Sequence, residues 1–569
     1  MELKGIGASR GIAIAKVFRI LEDEIEIPKN SLGVEKETEN FKKTCEKILN
    51  ELKEIEKKLL ISKPEEAAIF QAHQDIASDP VMQEEIIDLI KNNKSAMQAV
   101  DEVYQRYSEL FESMDDEYMR ERASDIKDIK KKMLYSLAGK EILDLSKINQ
   151  EVIIVAHDLT PSQTVQLNKK YVKGFATNIG GATSHSAIMA RSLNIPSVVG
   201  LKNILEMTKD GDILAIDGMG ESVVINPDQK TLKIYEEKLL KHQEFLKILQ
   251  NFKNKPSLTK DGHKVEIAAN IGSPKDMEDV IENDAEAVGL FRSEFLYMDN
   301  SNWPSEEEQF QEYAKTIKAF KDKNKKTIIR TLDIGGDKTL NYFAFPKELN
   351  PFLGYRAIRF TLEHEQIFKD QIRAIIRASF FGKVGVMFPM ITNVDEFLKA
   401  KEMFEKEYQL LKDEKQEIGK REDIELGLMI ETPAAAVLSD KFSKYADFLS
   451  IGTNDLIQYS MAADRMNEKI SYLYQPLNPS ILKLIKLTID GGHKHGKWVG
   501  MCGEMAGNPE AIPVLLGLGL DEFSMSASNV LQSRELISRL SYQQMKELAQ
   551  KALECEREQE VKELYKNIK

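Results

Sequence analysis

The pattern of apolar and polar positions divides the first part of the chain into three segments. Residues 11–20 alternate and are rich in β-branched side chains, which predicts a strand. From about Leu32 to Leu145 apolar residues recur every three or four positions among many Glu and Lys, which predicts a helical bundle. From Glu151 short apolar runs alternate with glycine turns, as in an α/β fold. We expect the early and later strands to share one sheet, so that the helical block is an insertion.

The last part of the chain contains eight short apolar runs, most of them separated by enough residues for at least one helix. Eight strand and helix units across about 300 residues are typical of a (β/α)₈ TIM barrel. Active sites in such barrels are built at the carboxyl ends of the strands. Polar residues gather at or just after four of these predicted ends, and they are Arg292, Glu431, Asn454, Asp455 and Cys502. The runs are VEIAANI, AVGLF, TIIRTLD, VGVMFPMI, IELGLMIE, DFLSIG, WVGMCG and EFSMS.

These sequence patterns predict a multidomain α/β protein and its domain boundaries. Residues 1–31 and 146–228 form an α/β domain, and residues 32–145 form the helical insertion. An amphipathic stretch followed by a polar one predicts a helical linker over residues 229–262. The barrel domain then occupies residues 263–569.

Charge and cysteine content restrict the function. The net charge is −13 and no long basic run interrupts the chain, which argues against nucleic acid or an anionic membrane as the main partner. Cys45, Cys502 and Cys555 lie far apart and form no CxxC pair, which fits a reducing compartment. No apolar run reaches a membrane span or a signal-peptide core. We therefore expect a cytoplasmic enzyme without membrane insertion.

The segment NIGGATSHSAIMARS predicts a glycine turn that opens a helix. Ser184 can cap this helix, and His185 then falls in its first turn. A positive helix end disfavours imidazolium and favours a bound phosphate, so His185 is expected to be a neutral nucleophile that can carry a phosphoryl group. A histidine that only caps the helix is the alternative, and the motif alone leaves both open.

Arginines near the predicted strand ends indicate a small anionic substrate. A single arginine is usually a surface ion-pair partner. Several guanidinium groups at one end of a barrel suit a ligand that carries both phosphate and carboxylate. The arginines are Arg292, Arg330, Arg356 and Arg465.

Two carboxylates and a cysteine complete the candidate chemistry. Glu431 and Asp455 supply hard oxygen ligands of the kind that Mg²⁺ takes together with water and substrate phosphate. Either carboxylate alone could instead be an ion-pair partner. Cys502 lies between glycines at a strand end, where it is either a small buried core residue or an acid.

Two segments, GGATSHSAIMARSLNIPSVVG and DFLSIGTNDLIQYSMAADR, resemble the paired signatures of the phosphoenolpyruvate-utilising enzymes. Within that family the whole chain resembles the Enzyme I group of the bacterial phosphotransferase system. The likeness runs nearly end to end, from KGIGASRGIAIAKVF through GLFRSEFLYM and IIRTLDIGGDK to GMCGEMAGNP. Arg10 stands where proline is usual and Ala182 fills a variable position, and neither departure touches a candidate catalytic residue.

The resemblance implies a reaction and its partners. The phosphoryl group of phosphoenolpyruvate passes to His185, whose ring Thr160 hydrogen-bonds, and then to a histidine of the small carrier protein HPr. Cys502 protonates the departing enolate to give pyruvate. The resemblance also implies a homodimer formed through the barrel and docking of HPr on the helical insertion, which matches the family least well.

The same resemblance implies which residues bind substrate and metal. Glu431 and Asp455 hold Mg²⁺. The substrate-binding residues are Arg292, Arg330, Arg356, Asn454 and Arg465. Because the nucleophile and the substrate site lie in different predicted domains, transfer requires the domain of His185 to reach the mouth of the barrel.

Two other functions are weighed against this one. A dikinase of the same family also uses ATP, but only about 180 residues precede His185, and no GxxxxGK[ST] loop occurs. A regulatory module that keeps the fold without turnover is the second alternative. The complete set of candidate catalytic residues argues against it.

Overall fold

A computed structural model provides the structure of the chain, which divides into two compact units, Met1–Leu246 and Lys247–Lys569. His185 lies outside the described residues, so its predicted place at a helix start stays a prediction. The described residues are 1–21, 25–28, 30–62, 64–112, 117–140, 145–164, 167–168, 170–181, 186–187, 190, 195–298, 300–320, 322, 324–335, 338, 340, 342–465, 467–566 and 568.

The first unit contains one eight-stranded sheet in the order β1-β8-β7-β3-β4-β5-β6-β2. The pairs β3–β4, β4–β5 and β5–β6 are parallel, and the other four pairs are antiparallel. The predicted shared sheet is confirmed. Three short strands, β1, β2 and β6, were not predicted. The strands are β1 Glu2–Lys4, β2 Ile6–Ser9, β3 Ile12–Ile20, β4 Val152–Ala156, β5 Val172–Thr177, β6 Ser197–Val199, β7 Ile213–Asp217 and β8 Ser222–Ile225.

A helical bundle is inserted between β3 and β4, as predicted. Its core is apolar, with Phe41, Ile86, Val100 and Ile129 essentially unexposed. Burial of each such side chain stabilises the fold by about 1.5–3 kcal/mol. The helices are α1 Val34–Ser62, α2 Pro64–Ala77, α3 Pro80–Lys91, α4 Ala96–Glu112 and α5 Glu117–Leu137.

Local signals explain where some of these helices begin. Asp79 precedes α3, and its carboxylate accepts a hydrogen bond from the Met82 amide at 2.8 Å. Pro80 at the first helical position needs no amide partner. The remaining helices of this part are a 3₁₀ turn Leu145–Lys147, α6 Pro161–Thr164, α7 Ile204–Met207 and α8 Gln229–Gln250.

The predicted linker is helical only in its first part. Helix α8 ends at Gln250, and the following residues form turns and an isolated bridge between Leu258 and Lys264. The residue numbers given above for the domain boundaries stay predictions.

The second unit is a closed barrel of eight parallel strands, each hydrogen-bonded to the next and the last to the first. All eight predicted strands are present, which confirms the (β/α)₈ barrel. The strands are β9 Glu266–Ile271, β10 Ala287–Arg292, β11 Thr327–Arg330, β12 Val384–Phe388, β13 Ile424–Ile430, β14 Phe448–Ile451, β15 Trp498–Met501 and β16 Glu522–Met525.

Helices of varied length connect and follow these strands. They are α9 Met277–Glu282, α10 Glu294–Met298, α11 Glu306–Ala319, α12 Ile358–Thr361, α13 Glu365–Ala378, α14 Val394–Asp413, α15 Pro433–Val437, α16 Ser439–Phe442, α17 Thr453–Met461, α18 Pro479–His493, α19 Ile512–Leu518, α20 Val530–Arg539, α21 Tyr542–Glu554 and α22 Glu558–Tyr565. Short 3₁₀ turns are Pro274–Asp276, Pro351–Leu353, Ser379–Phe381, Arg421–Asp423, Glu468–Leu473, Glu504–Gly507 and Ala527–Asn529. Among the described residues no helix is both long and apolar enough to cross a membrane.

Two aromatic side chains stack inside the barrel. Phe448 and Trp498 lie parallel, with ring centroids 4.6 Å apart. Gly427 makes room for them, because a Cβ at this position would come within 2.5 Å of the Phe448 ring. The barrel interior is therefore packed with side chains rather than open.

Candidate active site

A cavity of about 480 Å³ lies at the carboxyl ends of the barrel strands. It contains all the barrel residues that the sequence predicts as site residues. Among the described residues, five cationic and five carboxylate side chains line it, so their formal charges balance. The charged lining residues are Arg292, Glu294, Arg330, Asp333, Lys338, Arg356, Glu431, Asp455, Arg465 and Glu504.

Arg330 ends strand β11 and is held between two buried carboxylates. Its guanidinium lies 2.5 Å from Glu294 Oε1 and 2.9 Å from Asp333 Oδ2. Lys338 also donates to Glu294 Oε1, at 2.9 Å. Burial alone would raise the pKa of Glu294, but Arg330 and Lys338 lower it. Arg330 is thereby fixed in one orientation before any substrate arrives.

Arg356 is the second buried arginine and shares a partner with Arg330. It donates to Asp333 Oδ1 at 2.8 Å and to the Tyr459 hydroxyl at 3.2 Å, and it lies 3.4 Å from Asp455 Oδ2. Burial would raise the pKa of Asp333, but Arg356 and Arg330 hold it well below its usual value. Asp333 therefore stays ionised and ties the two arginines together.

Arg292 and Arg465 keep donors available for a ligand. Arg292 ends strand β10 beside Arg330 in the register, and within the described residues it makes no ion pair or side-chain hydrogen bond. Arg465 approaches Asp455 Oδ1 only to 3.9 Å. A planar guanidinium with free donors suits phosphate or carboxylate oxygens.

Glu431 and Asp455 follow the neighbouring strands β13 and β14. Glu431 Oε1 accepts the Met390 amide at 2.5 Å, and Met390 adopts a φ of 55°, which is unusual for a residue with a side chain. Burial, followed by the negative charges of Asp455 and Asp333, raises the pKa of Glu431 to about 8. Asp455 Oδ1 is buried without a hydrogen-bond partner in the described part of the chain.

These two carboxylates fit a divalent cation better than they fit each other. A cation between them would satisfy Asp455 Oδ1 and relieve the repulsion that raises the pKa of Glu431. No group of three or more His, Cys, Asp or Glu residues suited to a metal occurs among the described residues. Mg²⁺ commonly binds through one or two carboxylates and keeps positions for water and substrate phosphate.

Cys502 follows strand β15 and is 3% exposed. Its thiol points to the Ile451 carbonyl at 3.9 Å, which is a weak hydrogen bond. Burial raises the pKa of the thiol to about 11. Cys502 is therefore protonated at neutral pH, and it lines the cavity as a candidate proton donor.

Asn454 lies in the first turn of α17 at the rim of the cavity. Its side-chain oxygen accepts hydrogen bonds from the Tyr474 hydroxyl at 3.3 Å and from the Glu504 amide at 3.4 Å. These two hydrogen bonds fix the orientation of the Asn454 side-chain amide through its oxygen. Its Nδ2 lies 3.5 Å from Glu504 Oε1.

Sequence reasoning did not single out Glu294, Asp333 and Lys338. A signal was available, since Glu294 follows Arg292 in FRSEF, and Asp333 and Lys338 follow Arg330 in RTLDIGGDK. Charged residues directly after a predicted barrel strand belong to the same end of the barrel as the substrate. What the sequence could not show is that these carboxylates orient the arginines.

In the first unit, Thr160 follows β4 and its amide donates to Gln163 Oε1 at 3.0 Å. Strand β5 pairs in parallel with β4, with Thr177 opposite Ala156. The chain then turns at Gly180, whose φ of 118° favours glycine. Thr160 and the turn that leads to the segment of His185 therefore share one edge of the sheet. A contact between Thr160 and His185 stays a prediction.

The fold and the cavity define an enzyme that binds a small, multiply charged anion at the mouth of a (β/α)₈ barrel. Comparison with known proteins identifies the family. Residues 247–542 match the PEP-binding domain of PEP-utilising enzymes, residues 4–122 match their N-terminal domain, and residues 148–220 match their mobile domain. The chain belongs to the family of PEP-utilising enzymes.

Curated relatives extend the match over the full chain. A phosphoenolpyruvate-protein phosphotransferase of Mycoplasma capricolum subsp. capricolum is 52% identical and covers 100% of this chain and 99% of its own. One of Staphylococcus carnosus is 50% identical over 99% of this chain and 98% of its own. A solved structure described as Enzyme I (nEIt) is 41% identical over 42% of this chain and 99% of its own, with a TM-score of 0.39. At that score the structural likeness carries no weight, and the family rests on the sequence matches.

Proposed function

We propose that the chain transfers the phosphoryl group of phosphoenolpyruvate to its own His185 and then to a histidine of HPr, and releases pyruvate. Phosphoenolpyruvate-dependent phosphotransfer within the phosphotransferase system follows from the family and from relatives that match the chain end to end. The observation that carries the residue assignments is the barrel cavity. It combines fixed arginines, arginines with free donors, a carboxylate pair and a protonated thiol in one place.

Substrate binding follows from the charges of the cavity. Phosphoenolpyruvate carries a phosphate and a carboxylate, so it adds negative charge to a site whose formal charges already balance. Arg292 and Arg465 can bind its oxygens with donors that no described residue occupies. Arg330 and Arg356 hold the bound substrate in one orientation. Asn454 offers its amide nitrogen. A divalent cation supplies the charge that is still missing.

PEP-utilising enzymes generally depend on Mg²⁺. Glu431 and Asp455 would hold the ion here. When bound, Mg²⁺ neutralises the negative charge on phosphoryl and enolate oxygens. The other contributions come from the chain itself.

The chemistry needs one nucleophile and one acid. A ring nitrogen of His185 forms the bond to phosphorus while the bond between phosphorus and the enol oxygen breaks, which leaves the enolate of pyruvate. The enolate methylene carbon takes the proton of the Cys502 thiol and becomes the methyl group of pyruvate. Arg330 and Arg356, held by Asp333, keep the departing oxygens oriented without reorganisation. The phosphoryl group then leaves His185 for HPr.

The partners and the compartment are part of the proposal. HPr docks on the helical bundle α1 to α5, and two chains form a homodimer through the barrel. We place the reaction in the cytoplasm, because all three cysteines are free thiols.

The test is labelling with phosphoenolpyruvate that carries radioactive phosphorus, with and without ATP. We expect an acid-labile, base-stable label on the chain without ATP, one pyruvate per label, and transfer of the label to HPr. A label that requires ATP would instead support the dikinase alternative. Binding of phosphoenolpyruvate without label or pyruvate would support the regulatory module.

A further inference from the structure

The backbone of Cys502 has a hydrogen-bond partner that the reaction above does not use. Asn270, near the end of strand β9, donates from Nδ2 to the Cys502 carbonyl oxygen at 2.9 Å. Strand β16 lies between β9 and β15 in the barrel, so this hydrogen bond passes over one strand. The described residues that line the substrate cavity do not include Asn270. Asn270 therefore contacts the proposed acid from outside the cavity.

The side-chain amide of Asn270 is itself held in one orientation. The Ser524 hydroxyl, on the neighbouring strand β16, donates to Asn270 Oδ1 at 2.6 Å. Asn270 Nδ2 also lies 3.4 Å from the Ser524 carbonyl oxygen. Because the carbonyl oxygens of Cys502 and Ser524 can only accept, the amide nitrogen must face them and the amide oxygen must face the hydroxyl.

A glycine on a third strand makes room for this arrangement. A Cβ at Gly289, on strand β10, would lie 2.4 Å from Ser524 Oγ and 2.5 Å from Ser524 Cβ. Both distances are far shorter than the separation at which non-bonded atoms attract each other. A side chain at this position would therefore displace the hydroxyl that orients Asn270.

The other contacts of the Cys502 backbone are equally specific. Its amide donates to the Ile451 carbonyl oxygen at 3.1 Å. The next residue, Gly503, packs so closely that a Cβ there would lie 1.9 Å from Thr453 Oγ1. The thiol makes a weak hydrogen bond to the Ile451 carbonyl at 3.9 Å. Since that bond is weak, the position of the sulfur depends on the backbone that carries it, and Asn270 holds the carbonyl of that backbone.

We propose that Asn270 is a positioning residue that holds the Cys502 thiol where the enolate methylene carbon receives its proton. The inference rests on the proposed role of Cys502 as the acid. General acid catalysis requires the donor within hydrogen-bond reach of the reacting atom. A displacement of about 1 Å caused by a distant change can lower a rate by a factor on the order of 10². Asn270 acts through the Cys502 backbone and takes no part in the proton transfer itself.

The test is a double-mutant cycle with Asn270→Leu and Cys502→Ala. Leucine keeps the approximate size of asparagine and removes the donor. The quantity to measure is the rate of pyruvate formation in a single turnover of the full chain with Mg²⁺, followed by rapid quench.

Asn270→Leu should slow pyruvate formation about tenfold, the change that corresponds to the loss of one hydrogen bond. The phosphoenolpyruvate concentration at half-saturation should stay close to that of the wild type, because the cavity keeps its charged groups. In the Cys502→Ala background, Asn270→Leu should cause no further slowing, since no thiol is left to position.

Two further variants support the cycle. Asn283→Leu is the matched control, because Asn283 Nδ2 also donates to a carbonyl oxygen, that of Asp279, at 2.9 Å in an exposed place. It should leave the rate unchanged. Ser524→Ala removes the hydroxyl that orients Asn270, and it should slow pyruvate formation less than Asn270→Leu does. Circular dichroism checks that each variant folds, and Ser524→Ala takes the place of Asn270→Leu in the cycle if the latter does not fold.

An unchanged rate in the folded variant of the cycle would overturn the inference. The same slowing with and without the thiol would also overturn it, because Asn270 would then support the barrel rather than position Cys502. If Cys502→Ala alone leaves the rate unchanged, the proposed role of Cys502 is wrong, and the role of Asn270 is wrong with it.

Discussion

The two compact units differ in where ionised side chains gather. In the barrel unit, buried ionised side chains are linked across the cavity, as in the series Arg330, Asp333 and Arg356. In the first unit, the central strand β4 is buried along its whole length and entirely apolar. A substrate with several charges needs fixed counter-charges, and the ends of many strands can supply them. A phosphohistidine needs only a favourable local position. The comparison agrees with our proposal that the substrate site and the nucleophile lie in different units.

The largest effect is expected when the proposed nucleophile of the first unit is removed. His185→Ala should abolish both labelling of the chain by phosphoenolpyruvate and phosphorylation of HPr, because the variant lacks the ring nitrogen that we propose as the acceptor. Alanine is tolerated at a helix start, so circular dichroism should stay that of the wild type. Acid-labile, base-stable label on the folded variant would show that another residue is the nucleophile.

An equally large effect is expected when the units are separated. A fragment that ends near Gln250 contains the sheet, the bundle and His185, and its compact unit ends at Leu246. Because it has none of the barrel residues, phosphoenolpyruvate and Mg²⁺ should leave it unlabelled. Phosphorylated HPr should still label it, since exchange between two phosphohistidines is close to balanced.

The control for this fragment is His185→Ala in the same fragment, which should take no label from phosphorylated HPr. Direct labelling of the folded fragment by phosphoenolpyruvate would contradict the barrel as the substrate site. The assignments of the arginines as substrate ligands and of the carboxylates as Mg²⁺ ligands would then both be wrong.

A smaller effect is expected when the proposed acid of the barrel unit is removed. Cys502→Ala should slow pyruvate formation by a factor on the order of 10² or more, the scale of general acid catalysis. The substrate concentration at half-saturation should change little, because the thiol makes no ion pair with the substrate. Cys555→Ala, at a partly exposed cysteine, is the matched control. Unchanged turnover in Cys502→Ala would make Cys502 a core residue only.

The smallest effect concerns the cation. Asp455→Asn removes one hard ligand and the partner of Arg356, and it should raise the Mg²⁺ concentration needed for half-maximal activity about tenfold or more. Asp440→Asn, an ion-pair partner of exposed lysines, should leave it unchanged. The quantity to measure is the rate of pyruvate formation against Mg²⁺ concentration. An identical Mg²⁺ dependence in both variants would argue against Asp455 as a ligand.

The sequence predicts the barrel well because each strand is a buried run, and four of the runs have polar residues at or just after their carboxyl ends. Arg292, Glu431 and Cys502 could be placed in one cavity from that rule alone. The rule fails for features that depend on pairs of distant segments. Asp333 bridges two arginines, and the space for the Phe448 ring comes from Gly427 on the neighbouring strand. Neither relation leaves a local pattern.

The edge of the sheet has a consequence for synthesis of the chain. Strand β1 pairs with β8, so that Glu2 lies opposite Val224. At roughly 5–20 residues per second, on the order of 10 to 45 seconds separate the synthesis of these two strands. The helices of the bundle depend on contacts nearer in sequence and can form in that interval. The first strand to leave the ribosome is therefore among the last to find its partner.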